Sequence, residues 1–81
     1  MVEVFITDIK EQALAKKIVK ALEYVFSELD INYDMDETGL PFPQGHTVLR
    51  VEGENIDAGQ IILIVKKSGL NCEIMEDNIT E

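Results

Sequence analysis

The chain has 81 residues; sixteen Asp and Glu against seven Lys and Arg give a formal charge of -9, and 46% of residues are hydrophobic. That length allows a single domain (1-81) with a modest core, and the apolar content is too high for a disordered chain. One cysteine excludes an internal disulfide and every multi-cysteine metal site, the acidic balance argues against nucleic acid and anionic membranes, and no apolar run nears the roughly 18 residues of a membrane span.

Val2, Val4 and Ile6 alternate with Glu3 and Phe5, the period of a strand. Met-Val-Glu-Val-Phe carries no basic region, so no secretory signal is expected and the expected location is cytoplasmic. Asp8, with Glu11 three residues later, reads as a helix cap. Leu14, Ile18, Leu22, Val25 and Leu29 then recur at helical spacing, with Lys10, Lys16, Lys17, Lys20 and Glu23 opposite, predicting an amphipathic helix over roughly 9–29.

Ile31, Tyr33 and Met35 alternate with Asn32, Asp34 and Asp36 in a second strand with one polar face. Residues 38–46 hold two prolines and two glycines and read as a loop. Thr47 to Glu52 is a third strand, its Thr47/Leu49/Val51 face directed inward. Ile61-Ile62-Leu63-Ile64-Val65 is β-branched and apolar all round, as in a buried strand. Asp57 with Gln60 as a capping box, Lys66 and Lys67 in a last turn and Gly69 just beyond favour a helix over 57–68 instead. If that segment were a strand, the C-terminal half would form a three-stranded meander. Leu70, Cys72 and Ile74 alternate with Asn71, Glu73 and Met75 in a closing strand. The expected fold is therefore α+β: a ferredoxin-like βαββαβ sandwich, with an antiparallel sheet in order 4-1-3-2 and two helices on one face.

The second half, Thr47-Val48-Leu49-Arg50-Val51-Glu52 through Lys66-Lys67-Ser68-Gly69-Leu70-Asn71-Cys72-Glu73-Ile74, resembles the strand-helix-strand portion of heavy-metal-associated domains of the copper-chaperone type. ACT-type regulatory domains and other small ferredoxin-like domains share the pattern. The resemblance implies a Met-x-Cys-x-x-Cys metal loop between the first strand and helix, but here that loop is Thr7-Asp8-Ile9-Lys10-Glu11. Soft copper needs sulfur ligands, so no soft-metal activity and no residue role carries over.

Charge is uneven along the chain. Residues 1–22 carry a net +1, residues 23–57 a net -8 and residues 58–81 a net -2. In the expected topology the start of the second strand, the turn after the third and the end of the fourth meet at one pole. Asp30 and Glu52 then sit on neighbouring strands about 4.8 Å apart, with Glu54 and Asp57 on the adjoining turn. Glu76 and Asp77 end the fourth strand, and Glu76, two strands from Glu52 and roughly 10 Å away, can join only through a flexible tail. Four carboxylates (Asp30, Glu52, Glu54, Asp57) make a hard-oxygen site for weak binding of Ca²⁺ or Mg²⁺. The alternative is that Asp57 only caps a helix and the other acids face water.

Asp30 to Gly39 resembles the start of an EF-hand loop, but Met35 and Pro41 stand where Gly and Glu are required. On the polar sheet face Arg50 is expected between Asp34 or Asp36 and Glu3. Cys72 falls on the apolar phase of its strand and reads as a core thiol; His46, without a second His or Cys nearby, reads as a loop residue. Leu40-Pro41-Phe42-Pro43 folds back over a sheet edge or contacts a partner. No nucleophile-base pair or phosphate loop is present, so no enzyme is expected. The sequence reads as a small acidic binding module. The second possibility is an interaction or regulatory module, meeting a protein partner or forming a homodimer through the open sheet face or the Pro41–Pro43 loop.

Overall fold

A computed structural model describes residues 1–35, 42 and 45–75. In chain order the elements are β1 (Val2–Thr7), α1 (Gln12–Val25), β2 (Asp30–Asp34), β3 (Thr47–Glu52), α2 (Ala58–Lys67) and β4 (Cys72–Ile74). The four strands form one sheet in the order β2-β3-β1-β4, antiparallel at every pairing, which is the expected 4-1-3-2 counted from the other edge. Fold class is α+β. Among the described residues, no helix is long and apolar enough to cross a membrane.

Alternation along each strand sends one set of side chains to the helices and the other away from them. The inward set is Phe5 and Thr7 on β1, Ile31 on β2, Thr47, Leu49 and Val51 on β3, and Cys72 on β4, all buried. Ala15, Ile18 and Leu22 of α1, with Ile61 and Val65 of α2, close over this set to make the core. Both helices therefore lie on one face. Each large apolar side chain fully buried here is worth about 1.5–3 kcal/mol.

The ambiguous segment at Ile61–Val65 is helical. Asp57 caps it as expected, its carboxylate accepting from the Gln60 amide at 3.2 Å. Lys66 and Lys67 occupy the last turn, where cations offset the exposed carbonyl ends. Gly69 follows with φ of +84°, the left-handed conformation that costs a residue with a Cβ about 1–2 kcal/mol.

The first helix departs from the sequence reading. It spans Gln12–Val25 instead of 9–29, and Asp8 does not cap it; the capping position is Glu11, whose side chain makes no cap hydrogen bond. The cause is a buried polar lock at the end of β1. Thr7 and Thr47 lie directly opposite each other, both completely buried. The Thr7 hydroxyl donates to the Thr47 carbonyl at 3.1 Å and accepts from the Ile9 amide at 3.4 Å. The Thr47 hydroxyl donates to the Ile9 carbonyl at 2.7 Å. Ile9 itself is pulled into the core. With its backbone held by threonines, Ile9 cannot begin a helix. Asp8 instead accepts from the Asn71 backbone and side-chain nitrogens, both at 2.8 Å, tying this connection to the turn before β4.

At the other end, α1 stops because Leu29 must turn inward. The Phe26 amide donates to Leu22, the Leu29 amide to Phe26, and Leu29 reaches the core. It lies so close to Gly53 that a Cβ at that position would collide with Leu29 Cδ2. This contact fastens the turn after β3 to the start of β2.

Replacing Thr47 by Val removes the donor to the buried Ile9 carbonyl while nearly keeping shape. The expected loss is about 1–3 kcal/mol, the cost of an unsatisfied buried acceptor. Thr47→Ser, which keeps the hydroxyl, should retain the larger part of it. Urea unfolding midpoints at constant slope measure both; equal losses in the two variants would show that the hydroxyl contributes nothing.

Candidate functional site

Strand direction decides which residues can share a site. β1 and β2 run one way, β3 and β4 the other, so one pole collects Met1, Asp30, Glu52 and Met75. Asp30 and Glu52 are directly opposite in the β2–β3 pairing, as the topology predicted. Glu54 is exposed on the turn after β3. Asp57 is occupied as the α2 cap. A shallow open hollow at this pole is lined by Glu28, Glu52 and Glu54 with Met1, Gly53 and Asn55. Asp30 and Asp57 do not line it, and the sequence reading missed Glu28, which precedes β2 on the turn held by the Leu29 amide bond to Phe26 and the Leu29–Gly53 contact. Among the described residues, no group of three or more His, Cys, Asp or Glu side chains is arranged to hold a metal ion. Glu76 and Asp77 lie outside the described residues.

Arg50 neutralises part of the pole. Its guanidinium reaches Glu52 of its own strand at 3.2 Å, with both side chains about half exposed. The expected cross-strand arrangement is corrected by the register. Asn32 and Val4 stand opposite Arg50, and Glu3 stands opposite Val51, on the helix-facing phase. Asp34 shares the Arg50 face one diagonal step away, opposite Val48. Asp36 lies outside the described residues.

The sheet face turned away from the helices has a composition of its own. Val2, Val4 and Ile6 run down β1, Val48 sits opposite Ile6, and the Met75 amide bonds the Val4 carbonyl just past β4. None of these five belongs to the core cluster or packs against it. Val2 is 50% exposed and Met75 42%, the others half-buried by their neighbours. Around this apolar stripe stand Asp30, Asn32 and Asp34 on β2, Arg50 and Glu52 on β3, and Glu73 opposite Ile6 on β4. Among the described residues, the face thus carries four acids and one cation. The chain's six lysines are all elsewhere: Lys10 precedes α1, Lys16, Lys17 and Lys20 are on it, and Lys66 and Lys67 end α2, every one exposed.

Cys72 is buried in the core, as its strand phase predicted. Burial pushes its thiol up to about 11 from an ordinary value of 9.0, with Glu73 adding to the rise and Lys66 opposing it. His46 is half-buried just before β3 and lines a shallow groove with Ile6, Ile62, Lys66, Cys72 and Glu73. Of the proline loop only Phe42 is described, half-buried; Pro41 and Pro43 lie outside the described residues.

Compared with known proteins, the chain matches no family model, no curated protein and no solved structure. The heavy-metal-associated resemblance gains no support from sequence comparison.

The Cys72 thiol has a consequence for alkaline stability. In the unfolded chain it ionises near 9.0, and in the folded protein only near 11. Its contribution is therefore complete below pH 9 and is lost as pH rises toward 11, because the unfolded state sheds the proton first. Thermal unfolding across that window should show a steeper fall for the parent than for Cys72→Ala; parallel profiles would contradict the burial argument.

Proposed function

We propose that this protein is a small, acidic, non-catalytic binding module that docks a protein partner on the open face of its sheet, and that its architecture is of the ferredoxin-like kind. One observation carries the reading: Val2, Val4, Ile6, Val48 and Met75 form a continuous apolar stripe on the side away from the core. Burying such a stripe against a partner is favourable by about 25 cal/mol per Å² before the costs of association. A rim of charged and polar residues around an apolar centre is the usual layout of an interface. One half-buried histidine and one buried thiol give little support to catalysis.

Val4→Thr with Ile6→Thr keeps strand-compatible branched side chains on an outward face and should change folding stability by less than about 1 kcal/mol. Parent and double variant, immobilised in parallel, should differ in one respect: a protein retained from the source extract by the parent is lost by the variant. Identical retention would overturn the reading, and sedimentation of the parent at high concentration separates self-association from capture of another chain.

A second reading is loose binding of Ca²⁺ or Mg²⁺ at Asp30, Glu52, Glu54 and Asp57. Its support is the direct opposition of Asp30 and Glu52, since a divalent cation relieves repulsion between like charges placed across a strand pair. It predicts that millimolar Ca²⁺ shifts the amide signals of these four residues and leaves Asp8 and Glu73 still, whereas uniform small shifts over all acids would remove it.

A further inference from the structure

The charge pattern around the stripe narrows the kind of partner. Asp30, Asp34, Glu52 and Glu73 stand on the open face against Arg50 alone, whose guanidinium is already held by Glu52. We infer that the open face receives a basic amphipathic helix from another protein, its apolar stripe lying along β1 and its Lys or Arg flanks meeting Asp30 and Asp34 on one side and Glu73 on the other. This rests on the docking reading above and names the partner's chemistry.

The dimensions agree. Val2 to Ile6 spans about 13 Å of strand. Apolar residues at i, i+4 and i+8 on a helix span about 12 Å, so three side chains can follow Val2, Val4 and Ile6. Glu73 is on the strand beside β1, and the acids of β2 lie two strands away, about 10 Å. That is within reach of lysine side chains extending from the flanks of a helix 10–12 Å across, as a rough figure for helix width with side chains.

A second copy of the chain fits less well on either of its faces. Two open faces brought together would oppose their acid sets, with only one Arg on each. The outward side of α1 is basic, but Lys16, Lys17 and Lys20 with Ala13 and Ala21 occupy its exposed middle. Its large exposed apolar side chains, Tyr24 and Val25, stand at one end. It offers no stripe to match β1.

The test uses four synthetic peptides of about 18 residues, long enough to form a helix on contact. One carries a leucine stripe with lysine flanks, one the same stripe with glutamate flanks, one with glutamine flanks, and one the lysine composition scrambled. Binding is followed by amide shift mapping on the full chain. The lysine-flanked helix should bind with shifts confined to β1, Asp30, Asp34, Val48, Arg50, Glu52, Glu73 and Met75, and roughly tenfold or more tighter than the glutamate version. Asp30→Asn with Asp34→Asn should weaken it several-fold, and Glu23→Gln on the helix layer should not. Equal binding of the glutamate or glutamine version on this face would overturn the basic-partner inference while leaving the face as a docking surface. Equal binding of the scrambled peptide, or shifts centred on the helices or on Glu28, Gly53, Glu54 and Asn55, would overturn both. Absence of binding by all four would overturn the inference.

Discussion

Thr7 and Thr47 set the phase of the sheet. Each is completely buried, and between them their hydroxyls satisfy the Ile9 amide and two carbonyls that would otherwise be stranded in the core. Because strand side chains alternate, holding Thr7 inward also holds Phe5 inward and turns Val2, Val4 and Ile6 outward. A shift of one residue would reverse every side chain of β1. By hydropathy alone that reversed phase looks attractive, since it would bury two valines and an isoleucine in place of a glutamate, a phenylalanine and a threonine. The lock, together with Ile9 continuing the inward series beyond the strand, accounts for the phase adopted. The exposed stripe is the direct consequence.

Where periodicity and end chemistry agreed, the elements could be read from the residues. Asp57, Gln60, Lys66, Lys67 and Gly69 bracket Ile61–Val65 so fully that its strand-like composition does not prevail. Tertiary packing supplies the missing partners for those β-branched side chains. Local signals failed at the first helix, where Asp8 had the residue type and spacing of a cap. The competing demand came from Asn71, sixty-three positions away, and from a threonine on another strand. No window of sequence holds that information. The nearness of Asp30 and Glu52 was legible because it follows from strand order and direction; the placement of Glu3 and Arg50 on opposite faces was not, because it depends on the phase of β1.

Segregation of charge follows from the same layering. The lysines are on or beside α1 and α2, whose inward sides are taken by the core, so they gather over the helical layer. The acids of β2, β3 and β4 that alternate with buried residues gather on the open face and its pole. The molecule is therefore acidic overall, with its six lysines on or beside the helices and Asp30, Asp34, Glu52 and Glu73 on the open face. A field of this shape orients an approaching charged partner before contact, raising the rate of productive encounter more than the final affinity.

In the docking we propose, affinity would come from the stripe. Exposed ion pairs at the rim are each worth only a few tenths of a kcal/mol to about 1 kcal/mol, whereas one fully buried valine or isoleucine contributes about 1.5–3 kcal/mol. The two terms have different salt signatures: screening at physiological ionic strength acts over about 8 Å and weakens the rim first. Val4 and Ile6 are flanked by Arg50, Val48, Glu73 and Met75, so a partner docked as we propose would displace water there more fully than at the edge strand. Asp30 and Asp34, on the edge strand β2, stay wet. In the proposed complex binding energy would concentrate on β1 and selectivity on β2, and a single strand phase, held by two threonine hydroxyls, is what puts the two side by side.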